Sequence, residues 1–212
     1  MPNASPSPRP TRFRPLPGTS GGHLQTFLGY WCRRHLRWRL PAEDLVVPSA
    51  PGVQLLCRAA WQPGPRRERP ALVIAHGLGG SSEASYQVSL GRAAHDAGWH
   101  VVRMNLRGAG PSEALCARLY NAGLAEDVVA VAQAVARQAA RVVLVGYSLG
   151  GNLVLLAGSR DASGLPDEVA GVAAVCAPVD LAACADRFDA RDNAGYRAHF
   201  LWALRHQYRR RQ

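Results

Sequence analysis

The chain reads as an α/β protein, a mostly parallel sheet with helices on both faces, and two observations predict this. Ala71–His76 (ALVIAH) and Arg141–Gly146 (RVVLVG) are short continuous apolar runs, the pattern of strands buried on both faces. Between such runs lie segments with helical periodicity, and strand–helix alternation at that spacing requires parallel βαβ units. With 212 residues, 48% hydrophobic and 19% charged, the chain is long enough for one substantial core and too apolar to stay disordered.

Taken in order, residues 1–20 form a Pro-rich leader that is expected to stay extended or disordered, because proline supplies no backbone donor and fixes its own φ. Residues 21–40 mix aromatics with arginines and predict a short helix. Asp44–Pro48 and Val53–Trp61 read as strands joined at the turn-forming Pro51-Gly52. Ala71–His76 is the next strand, Glu83–Ala97 a helix, Trp99–Asn105 a strand and Leu124–Gln138 a helix. In that last helix Leu124, Val128, Val131 and Val135 share one face. Arg141–Gly146 is followed at once by a helix from Leu149 to Ser159, and Val169–Cys176 is one more strand. Asn193–Arg211 has the pattern of an amphipathic helix, with Tyr196, Phe200, Leu201, Leu204 and Tyr208 on its apolar arc and His199 and His206 facing away.

The net charge of +10 is concentrated at the ends. Arg9, Arg12, Arg14, Arg33, Arg34, Arg37 and Arg39 crowd the first forty residues, and Arg205, Arg209, Arg210 and Arg211 the last eight. Such a surface can attract nucleic acid or anionic lipid headgroups. The reading adopted is a solvated one, with no nucleic-acid partner, at most weak contact with an anionic membrane surface, and acidic partners in a C-terminal portion that this chain is expected to lack. Five cysteines (Cys32, Cys57, Cys116, Cys176, Cys184) are odd in number and form no CxxC pair. That argues against a disulfide framework or a zinc site and suits a reducing cytoplasm. The N-terminus has no apolar core of a secretory signal. Val169–Val179, the longest apolar stretch, is about half of a membrane span, so a soluble protein is expected.

Chemistry is carried by Gly146-Tyr147-Ser148-Leu149-Gly150-Gly151, a G-x-S-x-G between a predicted strand and a predicted helix. A serine hydroxyl is a poor nucleophile unless it projects to where a base can reach it. A tight strand-to-helix turn provides that projection but crowds the backbone, and Gly146 and Gly150 relieve the crowding. The helix beginning after Ser148 aims free N–H groups and its positive dipole end at a developing oxyanion, which makes the Leu149 N–H one natural donor. About seventy residues earlier, His76-Gly77-Leu78-Gly79-Gly80-Ser81-Ser82 leaves the ALVIAH strand. In the α/β-hydrolase fold this loop supplies the second donor, here the Leu78 N–H. His76 precedes the serine in chain order and reads as a structural histidine bonded to loop backbone. The glycine run lacks both G-x-G-x-x-G spacing and a following lysine, which excludes a nucleotide loop.

HGLGGSSEASY at 76–86, NLRGAGPS at 105–112, GYSLGGN at 146–152 and APVDL at 177–181, with GGHLQTF at 21–27 and NAGYRAHFLWALRHQY at 193–208, resemble the YheT-like branch of the AB hydrolase superfamily. The resemblance covers most of residues 20–208. It implies a hydrolase of carboxylic esters, short-chain acyl esters or acylglycerols, with a small-molecule ester as partner and no metal or organic cofactor. It also implies a partial hydrolase domain over residues 21–212, in which residues 181–212 begin a helical cap. In this fold the triad acid and histidine follow the serine on loops after later strands. No strand pattern follows Cys176, so the expectation is a sheet lacking its last two strands, with both triad partners missing. Asp180 reads as the cap of the helix after it rather than as the acid. The competing readings are a non-catalytic remnant or pseudoenzyme, and a basic module on a membrane surface.

Overall fold

The computed structural model describes residues 14–33, 35–159 and 164–209. Most of the predicted leader, residues 1–13, lies outside the described residues, as do Arg34, Arg210 and Arg211; residues 14–21 hold no helix or strand. The chain divides into two compact units, Met1–His35 and Leu36–Gln212. The first contains α1 (Gly22–Arg33), in which Phe27 and Trp31 stack one turn apart with centroids 5.8 Å from each other.

The second unit is built on six strands: β1 (Glu43–Ala50), β2 (Val53–Ala60), β3 (Pro70–Ala75), β4 (His100–Met104), β5 (Arg141–Tyr147) and β6 (Val169–Val175). All six predicted strands are present, with ends differing by a residue or two. Their spatial order is β1-β2-β4-β3-β5-β6; β1, β2 and β4 pair antiparallel, and β4, β3, β5 and β6 run parallel. The helices are α2 (Ser85–Asp96), α3 (Ala125–Ala136), α4 (Leu149–Ala157), α5 (Leu181–Asp189) and α6 (Ala194–Arg209).

Alternation along β3 builds both halves of the core. Ala71, Val73 and Ala75 join Val128, Val131 and Val135 of α3 and Leu153 and Val154 of α4 in one cluster. Leu72 and Ile74 point to the other face, where Leu90 and Ala94 of α2 and Trp38 pack. Full burial of each valine or leucine stabilises the fold by about 1.5–3 kcal/mol. The predicted apolar face of α3 is therefore the face it buries. The helix α6 differs from expectation. Tyr196, Phe200 and Leu204 are half-buried as predicted, but Leu201 and Tyr208 are exposed. The buried residue is Gln207, whose amide donates to the Gly108 carbonyl at 3.0 Å. A polar side chain with a backbone acceptor waiting inside can be buried without an unmade hydrogen bond, and hydropathy along one helix does not reveal that acceptor. No helix among the described residues is long and apolar enough to cross a membrane.

Candidate active site

Strands β3 and β5 are neighbours, with Ala75 opposite Gly146, so the loops leaving their C-terminal ends meet. In open parallel sheets this is where ligand crevices form. Ser148 stands between β5 and α4 with φ 51° and ψ −120°. Its N–H donates to the Val175 carbonyl at 2.9 Å, and its own carbonyl accepts from Asn152 N–H at 3.1 Å. The turn has no room for side chains at its flanks. A Cβ on Gly146 would lie 2.1 Å from the Gly150 carbonyl oxygen, and one on Gly150 would lie 2.5 Å from that of His76. Ser148 is exposed at the tip.

The glycine loop lies against it. A Cβ on Gly77 would sit 3.0 Å from Ser148 Cβ and 3.6 Å from its Oγ. Gly77, Leu78, Ser148 and Leu149 line one open cavity of about 600 Å³, together with Tyr86, Tyr147, Val175, Cys176, Pro178, Leu181, Cys184, Ala185, Phe188 and Phe200. Apart from the serine, the two phenols and the thiols, this lining is apolar. Phe188 of α5 and Phe200 of α6 meet edge to face at 5.6 Å on its wall. Leu149 opens α4, where first-turn N–H groups have no intrahelical acceptor.

His76 is fully buried and uses both ring nitrogens. Leu106 N–H donates to Nε2 at 3.0 Å, which leaves the proton on Nδ1, 2.7 Å from the Gly77 carbonyl it donates to. Burial pushes its pKa down from 6.5 to about 4, against the Gly77 hydrogen bond, which favours the charged form. It is a neutral structural histidine, as the sequence suggested. Asp180 accepts from Ala183 N–H at 2.8 Å and caps α5. His199 and His206 are exposed. Among the described residues no histidine, aspartate or glutamate lines the Ser148 cavity, and no group of three or more His, Cys, Asp or Glu could hold a metal ion.

Several participants were invisible in the sequence. Tyr86 stands in the quoted 76–86 motif, but its contact with the loop was not legible. Cys176 has φ 52° at the end of β6 and lines the cavity. Behind the site, Arg107 and Asp127 form a buried two-point ion pair at 3.0 and 2.7 Å, and Tyr120 N–H donates to the Arg107 carbonyl at 3.0 Å.

A strained, exposed serine between a parallel strand and a helix, faced by a glycine loop from the neighbouring strand, defines a class. The family model for the alpha/beta hydrolase fold matches residues 70–210, and the chain belongs to that family. Within it, the chain is similar to YheT of Escherichia coli (strain K12), a protein named as a candidate esterase. The two are 32% identical over 197 residues, which cover 91% of this chain and 56% of YheT. The chain thus spans about half the length of that relative. Among solved structures it resembles the Pyrococcus furiosus esterase Pf2001, with TM-score 0.59 at 17% identity over 79% of this chain and 62% of that one. It also resembles XC6422 of Xanthomonas campestris, described as a serine hydrolase without lid, with TM-score 0.52 at 24% identity over 68% and 65%. At these identities the two structures establish the fold.

Proposed function

We propose that the chain carries a serine hydrolase site for carboxylic esters with small apolar acyl groups, acting through a Ser148 acyl-enzyme. The observation that carries this reading is Ser148 itself, exposed on its strained turn at the mouth of an apolar cavity of about 600 Å³. Ser148 Oγ attacks the ester carbonyl, the Leu149 and Leu78 N–H groups hold the oxyanion, and the C–O bond breaks as the alcohol departs carrying the proton that the serine hydroxyl gave up. Water then attacks the acyl carbonyl and frees the acid and Ser148. The name of YheT supports an ester as the substrate.

The non-catalytic reading is favoured by a specific observation, the lack of a histidine or carboxylate lining the cavity among the described residues. A serine without its base loses nearly all that a triad contributes, and oxyanion donors with substrate positioning leave roughly 10³ to 10⁴-fold over water. Slow, Ser148-dependent hydrolysis of p-nitrophenyl butyrate by a monodisperse sample is therefore expected. Equal rates for the native chain and Ser148→Ala would sink the esterase reading and leave the non-catalytic one.

A further inference from the structure

The loop from Gly77 to Gly80 has four backbone N–H groups, and three are already spoken for. Gly77 N–H donates to the Tyr86 hydroxyl oxygen at 3.0 Å, Gly79 N–H to that of Tyr120 at 2.8 Å, and Gly80 N–H back to the Gly77 carbonyl at 3.1 Å. Leu78 N–H, between the two tyrosine-held amides, is the one without an acceptor among the described residues. The two phenols come from different places. Tyr86 lies in the first turn of α2 and Tyr120 in the segment before α3, so the loop is held from two sides.

Each ring is itself fixed. Tyr86 packs on Tyr147, beside Ser148, with centroids 4.6 Å apart. A side chain on Gly80 would meet the Tyr86 hydroxyl at 2.9 Å. Tyr120 stands edge-on to the His76 ring at 6.0 Å, and its backbone is tied to Arg107. Burial raises the Tyr86 phenol above its usual value, so it stays a neutral hydroxyl at ordinary assay pH.

We propose that Tyr86 and Tyr120 are positioning residues that clamp the 77–80 loop through the amides on either side of Leu78, leaving the Leu78 N–H as its single oxyanion donor. A donor held in place before the reaction costs no reorganisation as charge develops, which is why such groups weigh heavily in acyl transfer. The catalytic half of the proposal rests on the ester-hydrolase reading of Ser148; the clamp itself does not.

Tyr86→Phe and Tyr120→Phe remove one oxygen each and keep the ring. For p-nitrophenyl butyrate, each variant is expected to lose about tenfold or more in kcat, with KM within about twofold, because the donor matters most when the oxyanion forms. By amide hydrogen exchange, Gly77 in Tyr86→Phe and Gly79 in Tyr120→Phe should open about tenfold faster than in the native chain, without global unfolding. A loss confined to KM, or a kcat within twofold of native, overturns the positioning role. If the native chain is no faster than Ser148→Ala, the esterase reading has failed on its own account and exchange alone decides the clamp. Unchanged exchange at Gly77 and Gly79 then overturns it, and faster exchange at both supports it.

Discussion

At Ser148 the backbone is held at φ 51°, a conformation that costs about 1–3 kcal/mol for a non-glycine residue and persists only where packing over-determines it. The surrounding structure does so through Gly146 and Gly150, where even a methyl group would overlap backbone atoms. His76 makes a second residue-scale demand. Its folded pKa of about 4 lies below the ordinary 6.5. Above pH 6.5 it is neutral whether the chain is folded or not and adds no pH dependence. Between 6.5 and about 4 the unfolded chain takes up a proton that the folded chain refuses, so stability falls as the pH falls, by about 3 kcal/mol in all. His76→Gln offers a donor and an acceptor without titrating. Urea unfolding from pH 7 to pH 4 should therefore show a shallower loss in the variant, and parallel profiles would show that His76 is not buried neutral. His100, also lowered chiefly by burial, acts in both proteins and cancels in the comparison.

The ion pair between Arg107, which follows β4, and Asp127, in the first turn of α3, operates at the scale of elements. Their side chains are 5% and 1% exposed. Arg107 also reaches the half-exposed Glu126 at 3.2 Å, whereas Asp127 is held by Arg107 alone among the described side chains. It is therefore removing Arg107 that strands a buried charge. Arg107→Met is expected to cost about 3 kcal/mol or more. Replacing both, as Arg107→Met with Asp127→Leu, should restore most of that loss, since apolar packing of similar volume often equals a buried pair. Shifts in urea midpoint measure both, and a single-variant cost below about 1 kcal/mol would refute the burial argument. Because Tyr120 N–H bonds to the Arg107 carbonyl, loosening this pair is also expected to reach the glycine loop.

Across the whole second unit, the sheet ends at β6, whose outer edge is unpaired among the described residues. Apolar side chains cluster near it: Leu155 and Leu156 on α4 are 41% and 40% exposed, Val175 40%, Val179 79% and Leu181 48%. An open edge beside an uncovered apolar surface is a template for pairing with another chain. Sedimentation velocity is expected to show association that rises with concentration. Ala173→Lys, at an exposed position of β6, should reduce it, as charges on natural edge strands do. A native chain that remains monomeric at high concentration would count against this reading.

How much of this was legible follows from where each kind of information is encoded. Strand and helix type is written locally: ALVIAH and RVVLVG announce strands because side-chain direction repeats every two residues, and Val128, Val131 and Val135 announce a helix face for the same kind of reason. The Gly146-x-Ser148-x-Gly150 turn was equally readable, since its steric demand falls on neighbouring residues. The capping role of Asp180 was local too, three residues from its donor. What only the tertiary structure decided involves partners far apart in sequence. Tyr120 holds Gly79 across forty-one positions, Arg107 reaches Asp127 across twenty, and Gln207 finds Gly108 across ninety-nine. Nothing in the local pattern distinguishes Tyr86 or Tyr120 from an ordinary packed aromatic, or marks Gln207 as an inward residue. Those assignments depend on strand order, which brings the ends of β3 and β5 together and is set by long-range packing of the whole sheet rather than by any one segment's periodicity.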